Sequence, residues 1–162
     1  VWNGGGTVKC SVVDSSYRAI SSEFISQIKE MVDPTNYEGQ GVGEAPIDHI
    51  VTISTPSEIS ISVSAVITLD TSYTISSVLD AVKAQIENYL SSLRKDWGVE
   101  NTTNSYSLTV YNSRVIYAIL NTTGVVNVKS VTLNGVSTDI VLTQSKDTQQ
   151  IPILGEVVLS ES

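Results

Sequence analysis

The stretch that decides the fold is Ile59-Ser-Ile-Ser-Val-Ser-Ala-Val-Ile-Thr-Leu69, in which apolar residues alternate with mostly small polar ones. This alternation predicts a β-strand with one buried face and one face rich in hydroxyl groups. The residues from Ser76 to Trp97 carry an apolar stripe at helical spacing and predict a long amphipathic helix. A strand with one apolar face followed by such a helix indicates a helix packed on a sheet.

The hydroxyl-rich face of this strand has two interpretations. Ser60, Ser62 and Ser64 are either plain solvent-exposed surface or a row that pairs with the face or edge of another subunit. The choice depends on whether the strand lies at a sheet edge, because an edge strand offers unpaired backbone groups to a partner.

Elements on both sides of this strand and helix give the order β-α-β-β-α-β. That order is the split βαβ pattern of ferredoxin-like folds. Ser21 or Ser22 is placed to cap the first helix, which Pro34 ends. The six predicted elements are a strand at 7–13, a helix at 21–32, strands at 47–53 and 59–69, a helix at 76–97 and a strand at 106–110.

The remaining residues predict a smaller unit. Its apolar residues 115–120 indicate a short helix, and Asn134-Gly135 is a strong tight-turn signal that predicts a β-hairpin between strands 125–133 and 139–142. A last strand is expected at 153–159. The sequence therefore predicts an α+β protein with a ferredoxin-like domain at 1–110 and a smaller C-terminal α+β unit at 111–162.

A glycine-rich segment lies between the first helix and the next strand. In nucleotide sites the glycines follow a strand and open a helix, whose amide groups hold the anion. Here the order is inverted, so Gly39, Gly41 and Gly43 predict a structural crossover loop that needs positive φ or close backbone approach. Pro46 is expected to fix an extended backbone leading into the strand. An anion site remains the alternative interpretation of this loop.

Charge and composition exclude several classes of protein. The 162 residues include 9 Lys and Arg against 17 Asp and Glu, a formal net charge of -8. Nucleic acid is not an expected partner, because phosphate binding needs a basic stripe. A membrane span is not expected, since no apolar run approaches about 20 residues, and the N-terminus lacks signal-peptide features.

The first residue is not Met, which suggests a fragment of a longer protein.

Residues that carry chemistry are few. His49 is the only histidine and Cys10 the only cysteine, so histidine-based triads and multi-histidine metal sites are not expected. Cys10 lies among valines and is expected to be a buried, inert thiol, and His49 a turn residue that hydrogen-bonds local backbone. A pair of glycosidase carboxylates distant in sequence stays open. We expect no enzyme activity, no cofactor and no metal.

Four motifs, in order, resemble the baseplate J-like family, which comprises wedge proteins of contractile phage tails and of related phage-derived injection particles. The resemblance covers about residues 5–159. The motifs are a Gly-rich loop running into Ala45-Pro-Ile-x-His49 and a Val-Thr-Ile strand, Tyr89-Leu-x-x-Leu-x-x-x-Trp97, Asn112-Ser-Arg-Val-Ile before Thr123-Gly-Val-Val-Asn-Val, and Ile151-Pro-Ile-Leu-Gly-Glu-Val-Val-Leu159.

The resemblance implies a structural component of a bacteriophage or prophage tail baseplate. Its implied partners are other wedge and hub proteins and copies of itself, and its implied location is the virion tail baseplate after assembly in the host cytoplasm. Proteins of the family are longer, so this chain would be the middle and C-terminal portion, and we expect it alone to be a monomer or weak oligomer. The alternative function is a small ligand-sensing ferredoxin-like domain, with the glycine loop as part of its site.

Overall fold

The computed structural model describes residues 2–97 and 108–162 and shows a mixed α+β protein, as the sequence predicts. A 3₁₀ turn at Thr35–Tyr37 follows the first helix. In the described residues no helix combines the length and the apolar character needed to cross a bilayer. The strands are β1 Thr7–Ser11, β2 Ile50–Ser54, β3 Ser57–Leu69, β4 Leu108–Val110, β5 Val125–Leu133, β6 Ile140–Leu142 and β7 Gln150–Glu161, and the helices are α1 Ser22–Val32, α2 Ile75–Lys95 and α3 Asn112–Leu120.

Contacts divide the chain into two compact units. The N-terminal unit contains Val1–Ser57 together with Lys146–Gln149, and the C-terminal unit contains Glu58–Ser145 together with Gln150–Ser162. The boundary predicted between residues 110 and 111 lies inside the C-terminal unit, and the division into domains at that position stays a prediction. The N-terminal part of the strand predicted at 106–110 lies outside the described residues, whereas Leu108–Val110 forms β4.

The N-terminal unit is a parallel strand pair covered by one helix. Residues Thr7 to Ser11 of β1 lie opposite Ile50 to Ser54 of β2. The helix α1 begins after Ser21, whose side chain accepts a hydrogen bond from the amide of Phe24, which confirms Ser21 as the cap. A small apolar cluster of Ala45, Val51, Ile53 and partly buried neighbours joins α1 to β2.

The ferredoxin-like arrangement is not confirmed. A split βαβ unit leaves room for another strand between its two parallel strands. In the described residues β1 and β2 are direct neighbours in a two-stranded sheet, and β3 belongs to a different sheet. The predicted order of elements was right up to β4, but order alone does not decide which strands pair.

The C-terminal unit is built on a three-stranded sheet with the order β5-β3-β7. The helix α2 packs on β7, and α3 packs on β5 and α2. The apolar face of β3 supplies Ile61, Val63 and Ile67 to the core, and α2 adds Ile86 and Leu90. These five side chains are almost completely buried. The two segments that decide the fold therefore form the centre of this unit.

The predicted β-hairpin is wrong in its pairing. Asn134 and Gly135 do form a tight turn, with φ of 50° and 83°. The strand before the turn pairs with β3 over Val63 to Leu69, and the three-residue β6 pairs with β4. Tertiary pairing with the long strand β3 thus overrides the local hairpin signal.

The position of β3 removes edge pairing from the interpretations of its hydroxyl row, whereas Ser60 and Ser64 remain exposed on the face of the sheet. Because β3 is the central strand of its sheet, its backbone is not available to another subunit. A side chain at Gly155 of β7 would lie 2.5 Å from Ser60 Oγ and 2.8 Å from Ser62 Oγ. These two hydroxyl groups therefore lie against the backbone of the neighbouring strand.

Candidate functional site

The segment between α1 and β2 is held to the N-terminal unit by its own backbone. Residues 38–49 contain the predicted glycine-rich loop, and several of their amide groups donate to carbonyl oxygens of the helix end or of the loop itself. The bonds are Gln40 N to Tyr37 O at 3.0 Å, Glu44 N to Met31 O at 3.2 Å, Ala45 N to Val32 O at 2.8 Å and Asp48 N to Gly39 O at 2.8 Å. The loop is thus a structured connection docked on the C-terminal end of α1.

The glycines of the loop occupy two kinds of position. Gly39 and Gly41 have φ of 72° and 69°, a region that residues with a Cβ rarely adopt. At Gly43 the constraint is space, because a Cβ there would lie 2.5 Å from the carbonyl oxygen of Val32. Pro46 does not lead directly into a strand, since its carbonyl accepts from the amide of His49 at 3.2 Å and closes a turn before β2 begins.

The carboxylate of Asp33 is the centre of this region. It lies immediately after α1 and is 2% exposed. It accepts hydrogen bonds from Lys29 Nζ at 2.8 Å, from the amide of Gly39 at 2.9 Å and from the amide of Val51 at 2.9 Å. The bond from Lys29 and the two amide bonds lower the pKa of Asp33 to about 2, although burial alone would raise it. One amide group of the glycine loop, that of Gly39, is therefore bound by the chain's own Asp33 carboxylate.

Lys29 completes the cluster, and its ammonium group is fully used. Besides Asp33, Nζ contacts Glu38 Oε1 at 2.9 Å and donates to the carbonyl of Val51 at 2.8 Å. Burial lowers the pKa of Lys29, and the hydrogen bonds to the two carboxylates more than offset it, so that its pKa is raised overall. Since an ammonium group has three donors, none remains for an external ligand.

An open cavity of ≈ 330 Å³ lies beside the Lys29 cluster. It is lined by Ile25, Ser26, Lys29, Glu30, Thr35, Glu38, Val51, Thr52 and Ile53. Its one basic group is Lys29, whose protons are engaged within the chain, and its acidic groups would repel an anion. The cavity therefore gives no support to the ligand-sensing alternative with an anionic ligand.

The role of Asp33 was not predicted from the sequence, although its position carries a signal. An acidic residue after the last turn of a helix is unfavourable for the helix dipole, so it is expected to have a partner elsewhere. Lys29 lies four residues earlier, at the spacing of a helical ion pair, and Pro34 follows directly. An acidic residue between a helix and a glycine-rich loop therefore indicates a carboxylate that accepts hydrogen bonds from amide groups of the loop.

The prediction for Cys10 is wrong. Cys10 is exposed, as is Val8 on the same face of β1. The apolar cluster of this unit takes its buried strand residues from β2, and Val12, which follows β1, is only partly buried against it, so Cys10 has no buried face to lie on. His49 is exposed and its Nδ1 lies 3.1 Å from the carbonyl oxygen of Ile47, the local contact expected of a turn residue. Within residues 2–97 and 108–162 no three His, Cys, Asp or Glu side chains are grouped to hold a metal ion.

Four large apolar side chains of α1 and the loop are exposed to solvent. Phe24 and Met31 lie on α1, and Val42 and Ile47 lie on the loop docked at its end, and each is between 59% and 67% exposed. We call these four residues the apolar face. The neighbouring Ile25, Ile28 and Val32 pack on the unit's own apolar cluster. One part of the apolar side of α1 is therefore covered by the unit itself, and the part with Phe24 and Met31 is exposed.

The fold and the site thus define a mixed α+β protein whose Lys29–Asp33 cluster is satisfied by groups of the chain itself and whose α1 and loop expose four large apolar side chains. The chain belongs to the family described as Baseplate J-like protein C-terminal domain, whose family model matches residues 61–160. The resemblance seen in the sequence is thereby confirmed.

Two curated relatives come from Bacillus subtilis (strain 168). The chain is 32% identical over 161 residues to a protein described as uncharacterized protein YqbT. It is 30% identical over 161 residues to the phage-like element PBSX protein XkdT. Each comparison covers 99% of this chain and 42% of the relative, so the chain spans less than half the length of these relatives.

Proposed function

We propose that this chain is a structural module of the baseplate of a contractile phage tail or phage-like particle, where it takes part in assembly of the wedge. The observation that carries the proposal is the membership of residues 61–160 in the baseplate J-like C-terminal family. The relative XkdT supports the same setting, since its name assigns it to the phage-like element PBSX.

The partners we propose are other wedge and hub proteins and further copies of the same protein in the particle. The proposed location is the tail baseplate, reached after assembly in the cytoplasm of the bacterial host. The role is structural and not enzymatic, and the loop of Gly39, Gly41, Gly43 and Pro46 serves to position α1 against β2. The internally satisfied Asp33 and Lys29 support this role, because the groups that could act on a ligand are used to hold the loop.

Electron microscopy of induced particles tests the proposal. In a host carrying the gene, deletion of the region that encodes this chain should give tails without complete baseplates, and an epitope-tagged copy should co-purify with particles and label one end of the tail. Complete, infective or DNA-delivering particles that lack the protein would overturn the proposal.

The isolated chain is proposed to be a monomer or weak oligomer. Assembly spread over several regions of a longer protein leaves only part of the interface to any one portion, and interfaces below about 1,200 Å² are usually weak or transient. The net charge of -8 also opposes self-association. Light scattering over a range of protein and salt concentrations measures this; a tight dimer at micromolar protein, unaffected by salt, would contradict it.

A further inference from the structure

We propose that the apolar face of Phe24, Met31, Val42 and Ile47 is a docking surface for another protein, and that the partner presents an apolar surface flanked by Lys and Arg. The partner is a protein other than a second copy of this chain. The inference rests on the proposed function, because it names the chemistry of one contact made during baseplate assembly.

Two of the four residues lie on α1, and the other two lie on the loop that docks at the end of α1. Phe24 and Met31 are seven positions apart, which places them on the same side of α1 about 10 Å from each other. The loop reaches the end of this side, since a Cβ at Gly43 would lie 2.7 Å from the carbonyl oxygen of Met31. Within the loop a Cβ at Gly41 would lie 3.2 to 3.5 Å from atoms of Ile47.

The loop bonds make this surface rigid. The amide bonds from Glu44 to Met31 and from Ala45 to Val32 fix the loop on the helix, and Asp33 fixes it to β2. A rigid apolar surface loses little conformational entropy on binding, which favours its use as an interface. Solvent-exposed apolar residues grouped in this way are typical of binding surfaces, whereas scattered ones need no explanation.

Charge selects the kind of partner. Residues 21–50 contain one basic residue, Lys29, whose three donors are engaged. Four exposed carboxylates lie one or two positions from residues of the apolar face along the chain, and they are Glu23, Glu30, Glu44 and Asp48. The other two acidic residues of the segment, Asp33 and Glu38, are bound to Lys29. A partner with Lys and Arg around an apolar centre complements this rim and is steered toward it.

The same charges argue against the other occupants. A symmetric dimer through this face would bring two acidic rims together, and the whole chain has a net charge of -8. Nucleic acid and anionic lipid surfaces are repelled for the same reason.

Photocrosslinking in assembled particles identifies the occupant. The Met31→Cys variant, made with Cys10→Ser because Cys10 is exposed, is labelled with benzophenone maleimide and incorporated into particles. We expect a crosslink to a different tail protein, at a peptide that contains Lys or Arg. Ile47→Cys is the second labelling site and keeps the test decisive where the first variant does not assemble. A crosslink to another copy of the chain, or unhindered maleimide labelling of both variants in intact particles, would overturn the inference.

Charge reversal tests the rim separately. The double variant Glu23→Lys and Glu44→Lys should enter particles about tenfold less than the wild type in competition at low salt, because it repels a basic partner. The matched control, Glu156→Lys with Glu161→Lys, changes the charge equally at exposed positions of β7 and should assemble normally. Equal loss in both pairs would show a net-charge effect and overturn the proposed rim. A protein absent from wild-type particles would instead defeat the proposed function itself.

Discussion

The two compact units are stabilised in different ways. In the C-terminal unit eighteen described residues form one buried apolar cluster, whereas the N-terminal unit has three buried apolar residues and the ion cluster of Lys29, Asp33 and Glu38. The stabilisation gained by burying apolar surface does not depend on direction. A buried carboxylate, in contrast, destabilises the fold when any one of its hydrogen-bond partners is lost. We therefore expect the N-terminal unit to be destabilised most by substitutions in its ion cluster. The C-terminal unit should be destabilised most by substitutions that remove buried apolar volume.

The two tryptophans allow the units to be followed separately. Trp2 belongs to the N-terminal unit, where its Nε1 donates to the carbonyl of Lys146 at 3.2 Å. Trp97 belongs to the C-terminal unit, where its Nε1 lies 3.3 Å from Gln144 Oε1. Fluorescence in the Trp97→Phe background thus reports on the first unit, and in the Trp2→Phe background on the second.

The largest effect is expected from Leu90→Ala. Leu90 is fully buried in the C-terminal half of α2, so the substitution should lower the free energy of unfolding by about 2 to 5 kcal/mol through lost burial and a cavity. Urea unfolding followed by Trp97 fluorescence measures this loss. Leu93→Ala is the control and should cost less, because Leu93 is only partly buried against the same cluster. A loss near zero for Leu90 would remove the contrast between the units.

Asp33→Asn should cost about 3 kcal/mol in the N-terminal unit. The neutral amide leaves the ammonium of Lys29 without one of its buried partners and offers one oxygen to the two amides that Asp33 serves. Urea unfolding followed by Trp2 fluorescence measures this loss. Asp48→Asn is the matched control at an exposed loop position and should change stability little. An equal shift of the Trp97 transition would show that the ion cluster is not specific to its unit.

Acid should weaken the N-terminal unit for the same reason. The pKa of Asp33 is lowered from its ordinary value of 3.8 to about 2, so its stabilising contribution is complete above pH 3.8 and is lost as the pH falls through about 2. Acid unfolding of the wild type, followed by Trp2 fluorescence, should therefore show a transition in this window that Asp33→Asn lacks. Identical acid transitions in both proteins would contradict the assignment.

Gly43→Ala should lower the stability of the N-terminal unit by more than about 1 kcal/mol. Its Cβ would lie 2.5 Å from a backbone oxygen that cannot move without shifting α1. Gly41→Ala should cost about 1 kcal/mol, because φ of 69° strains a residue with a side chain. Gly5→Ala is the control, since nothing lies within 4 Å of its added Cβ. Thermal unfolding of the three variants checks this order. Equal melting temperatures would show that the loop does not need glycine at positions 41 and 43.

Sequence periodicity predicted the elements of the C-terminal unit well. The alternation of Ile59 to Leu69 and the stripe of α2 come from apolar burial, which leaves a direct trace at period two or at helical period. Strand pairing was not predictable in the same way, because the Asn134-Gly135 turn signal is local, whereas the choice of β3 as partner of β5 depends on distant residues.

The candidate site was less predictable. The inverted order of helix, glycines and strand drew attention to the loop, but Asp33, whose carboxylate binds the amide of Gly39, precedes the glycines and was given no role. Burial of Arg94 was likewise missed, although its guanidinium pairs with Glu87 and donates to the carbonyl of Pro152 at 2.9 Å. Buried charged groups follow from three-dimensional partners and leave no periodic pattern in the sequence.

The smallest effect on stability is expected from Met31→Ser. This variant compares the exposed side of α1 with the side that packs on the unit. Met31 is largely exposed, so its removal should change the stability of the N-terminal unit by less than about 0.5 kcal/mol. Ile28→Ser, one turn earlier on the side that packs on the unit's own cluster, should destabilise clearly in the same Trp2 assay. A clear loss for Met31→Ser would mean that the apolar face supports folding. A negligible loss, together with defective assembly of particles, would separate the residues of α1 that build the unit from those that bind its partner.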